Sequence, residues 1–276
     1  MRKTLIAGIA AGALVAVGTA LPAAAADGDA SLSVLHAVPG VTVDVYVNNA
    51  LTLDDFTPGT LAGPLPLPAG TYSVAITASD AADASAPLIG PIDLPLAAGG
   101  NYTAVAHLNA AGDPTATLFT NDTATLAAGE GRLTVRHVAA APAVDVLAGG
   151  APVITNLSNP AESVLTLPAG TVSAAVAATG TTTPVIGPAD VNVAEGTNTI
   201  VYAWGSLEAG NLALATQTID GLHSTPGGVP AGSAGLVATN QPGDATGLWI
   251  GAAVLALIAA AAGAVTRRRA LAKASR

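Results

Sequence analysis

At 276 residues the chain has room for two small domains, and its composition (51% hydrophobic, 3% aromatic, 10% charged) excludes a disordered or collagen-like polymer. Its net charge of −9 is unevenly spread: of nine basic residues only Arg132 and Arg136 lie between Asp27 and Asp244, the stretch that holds all 18 carboxylates. So acidic a central region repels polyanions, which excludes nucleic acid as a partner, and the absence of cysteine excludes a disulfide framework and thiolate chemistry.

Taken in chain order, residues 1–26 begin with Arg2 and Lys3, continue as an apolar run from Leu5 to Ala20, and end in Ala24-Ala25-Ala26 before Asp27. Charged start, apolar core and small residues at Ala24 and Ala26 predict a secretory signal peptide cleaved so that Asp27 becomes the first residue.

Short alternating runs follow. Leu32, Val34 and His36 share one face, then Pro39-Gly40 breaks the chain, and Val41, Val43, Val45 and Val47 share a face opposite Thr42, Asp44 and Tyr46. Period two over runs this short predicts strands, and Asn48-Asn49 suits a turn. Further strands are expected at 61–67, 71–78, 88–96, 102–108 and 115–120, with a Pro68-Ala69-Gly70 turn and a loop at 79–86. The alanine content favours helix in isolation, but within this region Gly, Pro, Asn and β-branched residues interrupt it.

The pattern then returns. LSVLHAVPGVTVDVYV at 32–47 is answered by LTVRHVAAAPAVDVLA at 133–148, LPAGT at 67–71 by LPAGT at 167–171, and Leu88-Ile89-Gly90-Pro91 by Val185-Ile186-Gly187-Pro188. A repeat of about 100 residues is a domain, not a solenoid unit. About seven strands per copy with regular turn signals predict an all-β chain of two tandem Ig-like β-sandwich domains, at 30–121 and 131–220. The short join at 121–130 implies restricted freedom between them.

From 221 to 247 the sequence turns to Gly, Pro, Ser and Thr and reads as a linker. Residues 248–266 form an apolar segment that carries no charge, followed by Arg267, Arg268, Arg269, Lys273 and Arg276. At ~1.5 Å per residue, 18 residues of helix span about 27 Å, so a C-terminal transmembrane helix is expected, with residues 267–276 as a basic cytoplasmic tail and the rest outside the cell. Just before it, Leu236-Val237-Ala238-Thr239-Asn240 resembles a sortase sorting signal through Leu236 and Thr239, whereas Val237 and Asn240 depart from that signal.

His36 with Asp44, and His137 with Asp145, keep the same separation in both copies. A catalytic triad needs a nucleophile beside the imidazole, and no GxSxG elbow or cysteine supplies one. Because each His falls on the face of core residues, these four are expected to be structural clamps, each His bonding a nearby turn or the Asp. No zinc cluster is evident, and Asp54-Asp55 or Asp80 with Asp83 have no counterpart in the second copy, so neither a metal nor another cofactor is expected.

The His-to-Asp segments and the Pro-Ala-Gly turns, in the same order in both copies, resemble the bacterial surface domain catalogued as domain of unknown function number 4397. The resemblance implies secreted or wall-associated proteins with one or more copies, and no settled activity. The expectation is a non-catalytic, membrane-anchored structural or adhesive protein of the cell envelope, whose partner is a surface molecule or an envelope polymer. A receptor module holding a small molecule, sugar or cation is the alternative, and the scarcity of aromatic residues argues against a sugar platform.

Overall fold

The computed structural model describes residues 28–224, so the expected signal peptide with Ala24, Ala26 and Asp27, the segment holding Leu236 and Thr239, and the 248–266 helix lie outside the described residues. Among the described residues every regular element longer than an isolated bridge is a β-strand. The first copy contains β1 (Ala30–Ala37), β2 (Val43–Val47), β3 (Ala50–Phe56), β4 (Leu61–Leu67), β5 (Gly70–Ala78), β6 (Ile89–Leu96), β7 (Asn101–Leu108) and β8 (Pro114–Thr120). The second contains β9 (Glu130–Ala140), β10 (Val144–Ala148), β11 (Ala151–Leu157), β12 (Ala161–Pro168), β13 (Gly170–Ala178), β14 (Pro184–Val193), β15 (Asn198–Ser206) and β16 (Ala213–Ile219).

Each copy therefore has eight strands where the alternation predicts about seven, the addition being β3 and its counterpart β11. Both are mostly exposed strands at a sheet edge, and both pair with their neighbour through two register shifts. An edge strand that buries one residue at its end carries little periodic signal, and Pro152 in β11 is tolerated because an edge leaves its nitrogen unpaired.

The strands form four sheets of four. In the first copy β4-β1-β7-β8 faces β3-β2-β5-β6, and in the second β12-β9-β15-β16 faces β11-β10-β13-β14. Within each copy the two sheets close on an apolar core. Val43, Val45, Ile76, Ile89 and Ala106 are among those that fill the first, and Val144, Val146, Val176, Val191 and Val201 the second. The Gly-Pro of both copies sits at a register irregularity of the strand pair that carries it: Gly90 has φ +94°, and a Cβ there would stand 2.5 Å from the Val74 carbonyl oxygen, with Gly187 (φ +85°) placed the same way against Ala174. Only glycine fits so close an approach at positive φ.

The centre of each sheet that contains β1 or β9 departs from simple alternation. β1 runs parallel to β7, and β9 parallel to β15, and these strands are buried along nearly their whole length. Parallel pairs of this kind are stable when both faces are covered. One face is covered by the copy's own second sheet and the other by the second copy: Leu35, Ala37, Val105 and Phe119 pack with Val138, Ile200 and Tyr202 in one buried cluster. The two copies are thus fused through their inner sheets, more tightly than the short join alone predicts. Gly221–Ser224, assigned to the linker from composition, remain attached: Leu222 is buried, its N–H donates to Gly196 O at 2.8 Å, and its carbonyl accepts from Leu126 N at 2.7 Å.

Candidate functional site

His36 stands near the end of β1, where the chain turns towards β2. Its Nε2 lies 2.8 Å from Val41 O, and its Nδ1 accepts the Val38 N–H at 3.5 Å, so the imidazole carries its proton on Nε2 and ties both sides of the Pro39-Gly40 turn. His137 repeats the arrangement, with Nε2 3.0 Å from Pro142 O and Nδ1 accepting from Ala139 N at 3.4 Å. Each ring is 1% exposed, and burial holds both imidazoles below the ordinary histidine range, against the opposing pull of the carbonyl each one contacts. The Phe56 ring stacks on His36 at 5.9 Å.

The aspartates face other partners. Asp44 Oδ1 accepts the Asp55 N–H at 3.0 Å, and Asp145 accepts two N–H groups, Asn156 on Oδ1 at 2.8 Å and Gly180 on Oδ2 at 2.9 Å. Those two bonds hold the Asp145 carboxyl below the usual carboxylate range. Neither histidine is brought into a hydrogen-bonded dyad with its aspartate: both ring nitrogens are engaged by backbone of the histidine's own turn. Each aspartate instead holds the backbone of the neighbouring edge strand.

Two further constellations stand out, the first without any signal in the sequence and the second joining the Asp54-Asp55 pair, set aside as a cation site for want of a counterpart in the second copy, to Asp44. The first surrounds Arg136, which is fully buried at the junction of the copies. Its guanidinium donates to Glu162 Oε2 at 2.8 Å, to the Tyr202 hydroxyl at 2.8 Å and to Asn121 Oδ1 at 2.9 Å, and lies 4.3 Å from the centroid of the Phe119 ring. The Tyr202 hydroxyl donates a hydrogen bond to Gln217 Oε1 at 2.6 Å, and the same oxygen accepts from the Thr103 hydroxyl at 2.9 Å, so residues of both copies share one polar network. Burial raises the Tyr202 hydroxyl above the ordinary tyrosine range, with the Arg136 charge opposing. Arg132 pairs with Asp122 at 3.1 Å and donates to the carbonyls of Asp122 and Ala124, which fixes the join between copies. Both cations of the acidic region are therefore engaged where the copies meet. Close by, His107 is fully buried with Nδ1 2.8 Å from Leu108 O and Nε2 2.9 Å from Thr117 Oγ1; burial chiefly, and the His137 charge besides, hold it below the usual range.

The second is a meeting of Asp44 with Asp54 and Asp55, whose carboxylate oxygens lie within 4.8 Å of one another. Cavities within the sandwiches measure about 30 to 40 Å³ and are lined almost wholly by Val, Leu, Ile, Ala and similar apolar groups, space for a few waters and not for a sugar ring.

These features define a tandem β-sandwich protein whose polar core residues bind the two copies together. The family model described as Domain of unknown function (DUF4397) matches twice, over residues 30–147 and 138–240, and the chain belongs to that family. No curated protein matches the chain. Among solved structures, the chain is similar to "The Bacillus anthracis TIE protein" at 15% identity, over 70% of this chain and 43% of that one, with a TM-score of 0.17. The chain thus spans less than half the length of that structure.

Proposed function

We propose that this protein is a non-catalytic surface protein of the bacterial envelope: two Ig-like sandwiches fused into one body, exported by the N-terminal signal and held outside the membrane by the 248–266 helix, with a structural or adhesive role towards a surface partner or an envelope polymer. The observation that carries the non-catalytic reading is the engagement of His36 and His137 by the backbone of their own turns, which leaves neither ring nitrogen to accept a proton from a substrate or nucleophile. The address is supported by the sequence of the two ends and by the confinement of the acidic residues to the region between them. The fused copies support a load-bearing or presenting role, because a join closed by buried packing holds two surfaces in fixed relation.

The test is fractionation of bacteria that express the full chain, with sequencing of both termini. The expected product sits in the membrane fraction, starts at Asp27, retains Arg276, is cut by protease added to intact cells, and is released to the medium when 248–276 are deleted. A C-terminus at Thr239 would replace the membrane helix by covalent wall attachment. Cytosolic protein that keeps Met1, or a hydrolytic activity lost in a still-folded His36→Gln/His137→Gln variant, would overturn the reading.

A further inference from the structure

The three carboxylates that meet in the first copy arrive from two strands. Asp44 projects from β2 and is 4% exposed, while Asp54 and Asp55 come from the irregular end of β3 and are open to solvent. Their oxygens all lie within 4.8 Å of one another, a spacing that small movements of the two exposed side chains close around one calcium ion at Ca–O distances of ~2.3–2.6 Å, whereas magnesium, at ~2.0–2.1 Å, needs a larger contraction.

Acidic clusters are common on acidic proteins, and a separate feature singles this one out. Thr77 on β5 is fully buried, its Oγ1 has no hydrogen-bond partner, and it stands directly across from Asp44 in the β2/β5 register. Residues so paired project from the same face of the sheet, which puts the Thr77 side chain next to Asp44 on the face that Asp44 shares with the cluster. A buried hydroxyl without a partner is unfavourable by itself, and a cation on that face supplies the partner its lone pairs lack.

The second copy serves as an internal control. The register places Asp145, Thr155, Asn156 and Ala177 where the first copy has Asp44, Asp54, Asp55 and Thr77. The backbone frame is the same: Asp55 and Asn156 have φ of 50° and 55°, and each gives its N–H to the aspartate of β2 or β10. In the second copy both carboxylate oxygens of Asp145 accept backbone N–H groups, neutral residues replace Asp54 and Asp55, and no hydroxyl is stranded. All three differences add an oxygen donor or a negative charge to the first copy.

We propose that the first sandwich carries a calcium site formed by Asp44, Asp54 and Asp55 with the Thr77 hydroxyl, and that the second copy has lost or never acquired it. The proposal goes beyond the surface role and does not rest on it. Exposed carboxylates on an edge strand place it among the weak sites of extracellular modules, with a Kd of about 10⁻⁴ to 10⁻³ M.

Calorimetric titration and thermal unfolding of the full chain in detergent test it, with calcium chloride and magnesium chloride as probes. The wild type is expected to take up one calcium saturably, to prefer it to magnesium by about tenfold or more, and to show a Tm that rises with calcium concentration. Asp54→Thr with Asp55→Asn installs the residues that the second copy already folds with, and should weaken calcium uptake at least ~10-fold. Asp54→Asn alone, at an exposed position, gives the same reading without touching the positive-φ residue. Thr77→Ala, again the residue of the second copy, is expected to raise the Tm of the calcium-free protein and to weaken calcium uptake several-fold. Absence of saturable uptake up to ~10 mM calcium, equal uptake by the Asp54/Asp55 variants, or unchanged uptake by Thr77→Ala overturns the four-oxygen site.

Discussion

Replacing Arg136 should unlock the two copies. Its guanidinium is bonded to Glu162, Tyr202 and Asn121 and lies 4.3 Å from the centroid of the Phe119 ring, and the whole residue is buried with no exposure. Breaking a buried ion pair by removing one partner costs about 3–5 kcal/mol, because the other charge is left without compensation. Here Glu162 keeps 34% of its side chain in solvent and rehydrates, so the low end applies. Tyr202 retains Gln217, whereas Asn121 Oδ1 keeps only the long 3.3 Å contact from Thr103, which adds part of a lost hydrogen bond. Arg136→Met preserves most of the stem and isolates this polar loss, for an expected destabilisation of about 3 kcal/mol. At roughly 2–4 °C per kcal/mol for a body of this size, the Tm falls by about 6–12 °C. Circular dichroism melts give the magnitude, and limited proteolysis at the 121–130 join reports separation of the copies directly. A loss under ~0.5 kcal/mol with the join still protected would refute the assignment of Arg136 as the polar lock.

Two further outcomes follow from buried groups elsewhere. His36, His107 and His137 are all held by burial below the ordinary histidine value of about 6.5, so the unfolded chain takes up protons before the folded one does. Their contribution is fully present above about pH 6.5 and is lost as pH falls from there towards the lower folded values, with a limiting slope of about 4 kcal/mol per pH unit for three groups. Urea midpoints measured from pH 7.5 to 5 should drop in that window, well above the range in which Asp145 acts, and a flat profile there would contradict neutral buried imidazoles. Gly90→Ala should cost ~2 kcal/mol or more through positive φ and a Cβ 2.5 Å from Val74 O, and more than Gly187→Ala, whose nearest contact is 2.9 Å; paired melts check the order.

Much of the frame was legible in the residues. Alternation in 32–47 and 133–148 marked the strands that carry His36 and His137, and the repeated Gly-Pro marked the duplication, while the register irregularity that Gly90 and Gly187 occupy came only with the structure. The edge strands β3 and β11 were not legible, because they bury only one or two residues each and break register twice. The histidine partners were only half legible. A ring at the end of a core strand must find a partner, but whether it takes the turn carbonyl or the aspartate depends on which side of the strand each side chain leaves.

The duplication, the short strands of each copy and the residues able to fill an apolar core are readable from the residues alone, since period-two patterning and turn chemistry are local properties. Tertiary structure alone decided that the inner sheets are covered on both faces, that Arg132 and Arg136 serve the junction, and that Asp44 meets Asp54 and Asp55. Some of those contacts join residues only ten to fifteen apart in the chain, but all are fixed by how sheets stack and by a register that shifts at an edge. No local pattern encodes them, and an arginine in a β-strand reads as a solvated face until a second sheet closes over it.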